Sequence, residues 1–510
     1  MNAKVRRQLA ARKRRIKKRL DKTNLDGECP MLSASNIHYE IADRNRAISA
    51  GGIGMIHQMV GWLGLDEAIN RAVGLFKIYL PYTESDHVLN IAYNLLAGGT
   101  CLEHLELRRN DEVYLDALGA KRIPDPTTAG DFCRRFSWLE IERLMDVFNQ
   151  TRLKVWKQQA PGFFEEAVID ADGTMVETTG ECKGGMDINH KGQWGYHPLL
   201  VSLANTAEPL FVVNRRGNRP SHEGAAKYLD RAVGLCREAG FRKILLRGDT
   251  DFTQSEYLDD WDEDHVQFIF GIDAMPNLYE LAEKLPKSAW RQLKRRPKYE
   301  VQTEPRTRPH NFKEQVVEER EFENIKLVKE YVAEFDYSPT KCGKTYRVVV
   351  VWKDLEVKQG QRKLFDTDRC FFYITNDKER SAEEVVFQAN GRCNQENTIK
   401  QHKNDIRSLT APVDNLVSNW AYMVMASLAG SLKAWSALLL PQQGRWKEKH
   451  QEEKKRLLRM DFSTFRNAWI NIPAQIVRSS RRIVYRFLSW NPWQSAFFRL
   501  LDVLNKPLRC

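Results

Sequence analysis

Between residues 165 and 275 the apolar period of the chain switches from two to 3.6 and back, a succession that a layered α/β arrangement accommodates. AVIDADGTMVETTG reads as a strand broken at Gly173. YHPLLVSLANTAEPLFVVNRRG reads as two strands, 198–203 and 210–214, joined by a turn. In SHEGAAKYLDRAVGLCREAG, Ser221 is placed to cap a helix carrying Tyr228, Leu229, Ala232, Val233 and Cys236 at helical spacing, and Gly240 to stop it. FRKILLRGD is then a buried strand, TQSEYLDDWDE a short helix and VQFIFGI another strand. The order β-β-α-β-α-β is that of a mixed α/β unit.

The flanks differ. Residues 40–160 are patterned as helices. In DPTTAGDFCRRF, Thr127 or Thr128 is the expected cap of a short helix bearing Arg134 and Arg135. A helix-turn-helix-like DNA-binding unit and an ordinary helical bundle fit this region equally well. From 276 to 365, KLPKSAWRQLKRRPKYE places seven Lys/Arg around Trp290, and strand-like QVVEER, IKLVKEYVAEF and YRVVVVW follow. CFFYITND resumes a buried strand. SAEEVVFQANGRCNQENTIKQHKNDIRS returns to helix, with Ser381 and Glu384 at capping-box spacing. The remainder is mostly helical and basic. WAYMVMASLAGSLKAWSALLLP carries Lys433 and small polar residues, so a buried helix is expected rather than a membrane span.

Charge points to a polyanionic partner. The 79 Lys+Arg exceed 67 Asp+Glu, a net charge of +12, and the first twenty residues hold ten Lys/Arg and no acid. That segment is expected to be a solvated basic arm that orders on nucleic acid, where each neutralised phosphate releases counterions. No apolar stretch follows it, so a signal peptide is not expected here. The nine Cys, with no CxxC pair, read as reduced thiols of a cytoplasmic protein. The eleven His are dispersed; His190 and His197 in HKGQWGYH match no zinc spacing.

Acids stand at the edge of apolar structure in three places. Asp170 and Asp172 in VIDADGT share a face of an extended strand. Asp249 ends the strand of LLRGDTDF. Glu396 lies on the helix of GRCNQENTIKQHKND, where steps of about 100° per residue bring Arg392, Glu396 and Lys403 within roughly 40°, with Lys400 close to the same stripe. Alone, that stripe is ordinary surface ion pairing. Together, these carboxylates suit Mg²⁺ or Mn²⁺, and two such ions about 3.5–4 Å apart can activate the attacking oxygen and stabilise the leaving oxygen of a phosphodiester.

DADGT, LLRGDTDF and RCNQENTIKQHK, in that order, resemble the DDE transposases of bacterial insertion sequences, most closely the IS1380 family of the IS4-related group. GYHPLLVSLANTAEPLFVVNRRGNRPSHEGAAKYL strengthens the likeness, which runs from about residue 50 to 410. The resemblance implies an α/β fold: an RNase H-like catalytic core, a mixed sheet with flanking helices, interrupted by a β-rich insertion. The implied divisions are a basic arm (1–35), a helical DNA-binding region (36–160), the core's first part (161–275), the insertion (276–365), the core's second part with the Glu396 helix (366–410) and a helical carboxy-terminal region (411–510). It implies Asp172, Asp249 and Glu396 as catalytic, metal-binding acids, with Asp170 the alternative first acid. Two Mg²⁺ or Mn²⁺ ions would serve each site. Arg392, Lys400 and Lys403, with Arg291, Lys294, Arg295 and Arg296 around Trp290, would hold DNA. Arg392, Glu396 and Lys403 meet the IS4-related spacing Tyr-x2-Arg-x3-Glu-x6-Lys, but Ala389 replaces the tyrosine, which puts in doubt contacts that depend on it. The implied activity is cutting an element at its terminal inverted repeats and joining its 3′-OH ends to target DNA. The implied partners are double-stranded DNA and a second copy of the chain, in the cytoplasm, at the nucleoid when bound to DNA. The rival expectation is a catalytically inactive relative that binds DNA as a repressor or architectural factor.

Overall fold

The computed structural model describes residues 2–21, 37–39, 46–76, 81–180, 182–295, 312, 315, 316, 320, 323–359, 362–442, 444–479 and 482–508. Helices lead in, among them α1 (Ala3–Leu20), α2 (Glu84–Leu96), α3 (Pro126–Arg134) and α4 (Trp138–Trp156). The apolar runs that follow build one mixed sheet. Its strands are β1 (Glu166–Gly173), β2 (Leu199–Leu203), β3 (Glu208–Val213), β4 (Lys243–Gly248), β5 (Gln267–Ile272), β6 (Arg291–Gln292), β7 (Glu323–Tyr337), β8 (Tyr346–Gln359) and β9 (Arg362–Thr375). Their spatial order is β6-β7-β8-β9-β5-β4-β1-β2-β3. β1, β4 and β5 run parallel, and every other neighbouring pair is antiparallel.

The parallel strands are joined by helical crossovers, as parallel pairing requires. Helix α5 (Ala225–Ala239) connects β3 to β4 and packs across β1, β2, β3 and β4. Every residue of β2 and β3 is buried, so these strands show no alternation between faces. β9 is a single strand whose residues 372–375 pair with β5. Two helices follow it, α6 (Ala382–Gly391) and α7 (Cys393–Asn404), and then the 23-residue α8 (Leu416–Leu438).

Helix α8 is the apolar run containing Lys433, and it is a buried helix packed on α2, α4 and β3. Among the described residues no helix is long and apolar enough to cross a membrane. The Lys433 Nζ donates to the Leu458 carbonyl at 3.1 Å, and burial pushes its pKa down to about 8.

Several local expectations are corrected. Asp125, not Thr127 or Thr128, caps α3, accepting from the Thr128 N–H at 2.8 Å with Pro126 at the first helical position. The carboxylate accepts an otherwise orphaned donor, and proline loses nothing there. Arg134 is engaged with Asp131 and Asp414, and the inner face of α3 is buried, which suits a packed bundle. Ser221 does not cap α5, which starts at Ala225 after Gly224 in a left-handed conformation. The Arg215 guanidinium holds the carbonyls of Pro220, Ser221 and Glu223 in a turn, away from helical pairing. The basic amino-terminal segment is a helix seated on the carboxy-terminal region: Arg12 donates to the carbonyls of Phe487 and Ser489, and the Lys13 ammonium lies over the Trp490 ring.

A buried polar hub fastens the helical layer to the sheet. Glu208, at the start of β3, is fully buried against Arg152 of α4 at 3.0 Å. The carboxylate also accepts from the indoles of Trp156 at 3.1 Å and Trp435 of α8 at 2.8 Å. Arg152 in turn donates to the Pro209 carbonyl at 2.7 Å and the Ser431 hydroxyl at 3.1 Å. Removing one partner strands the other charge in a dry interior. Glu208→Ala is expected to lower unfolding free energy by about 3–5 kcal/mol, read by thermal or denaturant melting; a loss below about 1 kcal/mol would show that the hub bears little of the stability.

Candidate active site

Strands β1 and β4 pair in parallel with Asp170 opposite Arg247. Side chains two apart on a strand share a face. The next layer toward the strand ends therefore places Asp172 beside Asp249. The deeper layer is a closed ion pair: Arg247 Nε and Nη2 donate to the two Asp170 oxygens at 2.7 and 2.8 Å, both side chains being buried. Burial pushes the Asp170 carboxyl upward, against the two charge-assisted bonds, which favour its ionised form. Asp170 is thus spoken for, and Asp172 is the strand acid at the open end.

Asp249 terminates β4 and caps the short turn Thr250–Phe252, accepting from the Asp251 N–H at 3.1 Å. Gly248 lets that turn fold back, since a Cβ there would lie 2.5 Å from Phe252 Cβ. Glu396 sits in the first turn of α7. The helix is fastened to β2 by Gln395, whose amide donates to the Leu200 carbonyl at 3.0 Å and whose carbonyl accepts from the Ser202 hydroxyl. Arg392 occupies the joint between α6 and α7. Its guanidinium lies 3.4 Å from Asp172, 3.7 Å from Asp249 and 3.6 Å from Glu396. One cation therefore joins three acids drawn from two strands and a helix.

The electrostatics of this cluster are under tension. Burial first, then the charge of Asp249, pushes Asp172 up to about 7, with Arg392 opposing. Burial also raises Asp249, again against Arg392. Among the described residues no three His, Cys, Asp or Glu side chains close to metal-binding spacing. The three carboxylates nonetheless supply the hard oxygen donors that Mg²⁺ and Mn²⁺ prefer, around a position where the protein already places positive charge. The donor set fits such ions, and the Arg392 guanidinium offsets part of the negative charge.

The other sequence-predicted residues divide. Lys403 is half-buried and donates to the Met175 carbonyl at 2.7 Å, holding the segment that follows Asp172. Lys400 is exposed on α7. Around Trp290, Arg291 faces Glu383 at 3.6 Å, Arg295 makes a two-pronged pair with Glu330 at 2.5 and 2.8 Å, and Lys294 is exposed. Arg296 lies outside the described residues. Sequence reading assigned no role to Arg247, Gln395, His197 or Arg215. For Arg247 a signal existed: it precedes Asp249 by two, as Asp170 precedes Asp172.

The family described as transposase DDE domain group 1 matches residues 32–508. A cryo-EM structure of the piggyBac transposase synaptic complex with hairpin DNA aligns over 91% of this chain and 86% of that chain, at 11% identity and a TM-score of 0.36. No curated protein matches.

Asp172 ionises less readily in the folded chain than in the unfolded one. Its contribution to stability is full below about pH 4 and is lost as pH rises through about 7. Asp172→Asn removes that loss. The metal-free variant is expected to melt about 1–3 °C above wild type at pH 8, the gap closing as pH falls below about 5. A gap that stays constant across this range, in thermal scans, would refute the cause given for the shift.

Proposed function

The chain belongs to the DDE-domain transposases, and from that premise we propose that it cuts an insertion sequence at its terminal inverted repeats and joins the freed ends to target DNA. The observation that carries the site assignment is the convergence of Asp172, Asp249 and Glu396 on one guanidinium. Bound there, two Mg²⁺ or Mn²⁺ ions would supply activation of the attacking oxygen and charge stabilisation of the leaving oxygen. Asp172, Asp249 and Glu396 would hold them. In cleavage, a water oxygen bonds to phosphorus, the bond from phosphorus to the 3′ oxygen breaks, and a proton given up by the water ends on the 3′ oxygen, leaving a 3′-hydroxyl on one side and a 5′-phosphate on the other. In joining, the new 3′-hydroxyl attacks a target phosphodiester and displaces a target 3′ oxygen, so the number of phosphodiester bonds is conserved. Arg392, already poised among the acids, and Lys400 and Lys403 on the same helix would grip the flanking phosphates.

We read the central sheet as an RNase H-like core. The order β3-β2-β1-β4-β5, with the first three strands antiparallel and β4 and β5 parallel to β1, supports this reading. Residues 276–365 would be its β-rich insertion, and 161–275 with 366–410 the two halves of the core. Residues 36–160, the basic arm (1–35), the segment 291–296 and the carboxy-terminal region 411–510 would handle the element's ends. Pairing two ends calls for a dimer in the DNA complex. Among insertion-sequence transposases we place the chain nearest the IS1380 family, on the order and spacing of its motifs.

The test uses a duplex carrying the inverted repeat that flanks the gene. Wild type is expected to nick it with Mg²⁺ or Mn²⁺ and not without. Asp249→Asn and Glu396→Gln should each lower the rate at least about 10³-fold, while binding in the absence of metal stays within about threefold. Cleavage by folded Asp249→Asn at the wild-type rate would remove the site assignment. Binding without cleavage by wild type would identify an inactive DNA-binding relative. Lys400→Ala should weaken binding to all sequences and reduce the salt slope by about 1, measured by titration at several salt concentrations.

A further inference from the structure

Beside the acid cluster stands an imidazole that the chemistry above does not use. His197 packs against Gly173, the residue after Asp172: a Cβ built on that glycine would lie 2.6 Å from the His197 Cε1. The charges that act on the ring come from Arg215, Asp251, His190 and Lys403. Asp251 lies two residues beyond Asp249, and Lys403 is on the Glu396 helix and bonded to Met175. The ring therefore touches the residue after Asp172 and feels charge from the segments that carry Asp249 and Glu396.

Its proton is placed by a neighbour. Arg215 Nη2 faces His197 Nδ1 at 3.4 Å. A guanidinium has donors only, so Nδ1 accepts, and the proton of the neutral ring sits on Nε2. The guanidinium is held firmly. Its Nε donates to the His197 carbonyl at 2.9 Å, and its Nη1 donates to the carbonyls of Pro220, Ser221 and Glu223 at 3.2, 3.0 and 2.8 Å. The His197 N–H donates to the Arg215 carbonyl at 2.9 Å, closing a reciprocal clasp. Burial, with the Arg215 charge, holds the ring neutral, its pKa pushed down to about 4. Nε2–H has no hydrogen-bond partner among the described residues.

A fixed N–H donor with no partner, beside the Arg215 guanidinium and in the field of Lys403, suits an anionic oxygen. A protonated Nε2 cannot ligate a metal, and Nδ1 is occupied. Building on the transposase reading above, we propose that His197 is a further catalytic residue, whose Nε2–H donates to a non-bridging oxygen of the DNA phosphate lying against the acid cluster. Arg215 is then a positioning residue that selects the tautomer. Gly173 is required because a side chain would push the ring away.

The probe is the same inverted-repeat duplex, unmodified or with one neutral methylphosphonate at each successive position around the cleavage point. In single-turnover reactions His197→Ala is expected to cleave unmodified DNA about 10- to 100-fold more slowly, with binding changed less than about threefold. His197→Gln, which keeps an N–H donor, should recover part of the rate. On one methylphosphonate duplex, wild type and His197→Ala should cleave equally, because the accepting oxygen is gone. On the others the ratio should persist. His197→Ala cleaving unmodified DNA at the wild-type rate, or losing the same factor on every modified duplex, would overturn the proposal. A misfolded His197→Ala is recognised by its melting curve, and His197→Gln against wild type on the same duplexes then decides. Wild type that cleaves no duplex would instead overturn the transposase reading.

Discussion

The arrangement of this site depends on one ion pair, Asp170 with Arg247. Both side chains are desolvated, and the planar guanidinium meets the carboxylate with two bonds. A third bond, from Nη1 to the Gln388 carbonyl at 2.8 Å, reaches α6. The helix comes that close because residue 391 is glycine, a Cβ there lying 2.4 Å from the same nitrogen. One cation thereby sets the spacing of β1, β4 and α6, the elements that lead into Asp172, Asp249 and Arg392. A hydrophobic pair of equal volume could fill the space, but it would not fix the angle between the strands or hold the end of the helix.

Above this closed pair lies an open and unbalanced one. Three acids share the cation Arg392; burial raises Asp172 and Asp249, with the charges of Asp249 and Glu396 adding to the rise of Asp172 and that of Asp251 to the rise of Asp249. Such a cluster costs stability, and it persists because the scaffold beneath it is stiff. The Arg152–Glu208 hub clamps the helical layer to the far edge of the same sheet. In both buried pairs the two charges are matched and desolvated, whereas at the strand ends negative charge is left over for incoming cations.

How far the sequence foretold this follows from the range of each interaction. The strand at Lys243–Gly248 and the capping box at Ser381 were legible because burial, period and caps are local. That Asp170 and Asp172 share a face was legible too, from the pleat. Which of them is sealed was not, because the sealing partner stands on another strand. The amino-terminal helix read as a free arm, since its seat at residues 487–490 is remote along the chain. Arg291 and Arg295 read as free cations for the same reason, their partners Glu383 and Glu330 being far away. The helix face joining Arg392 to Glu396 needed only arithmetic. The reach of Arg392 to two strand acids needed the fold.

The sequence by itself determined the class of structure and the kind of chemistry. Alternation and helical spacing are properties of the backbone's own geometry, and carboxylates at strand ends carry their preference for hard cations wherever they stand. Only the tertiary structure decided which acid is free, which cation stands among the acids and which nitrogen of His197 bears its proton. Each of these depends on a partner brought from a distant part of the chain by strand register and helix packing, and nothing local encodes that partner.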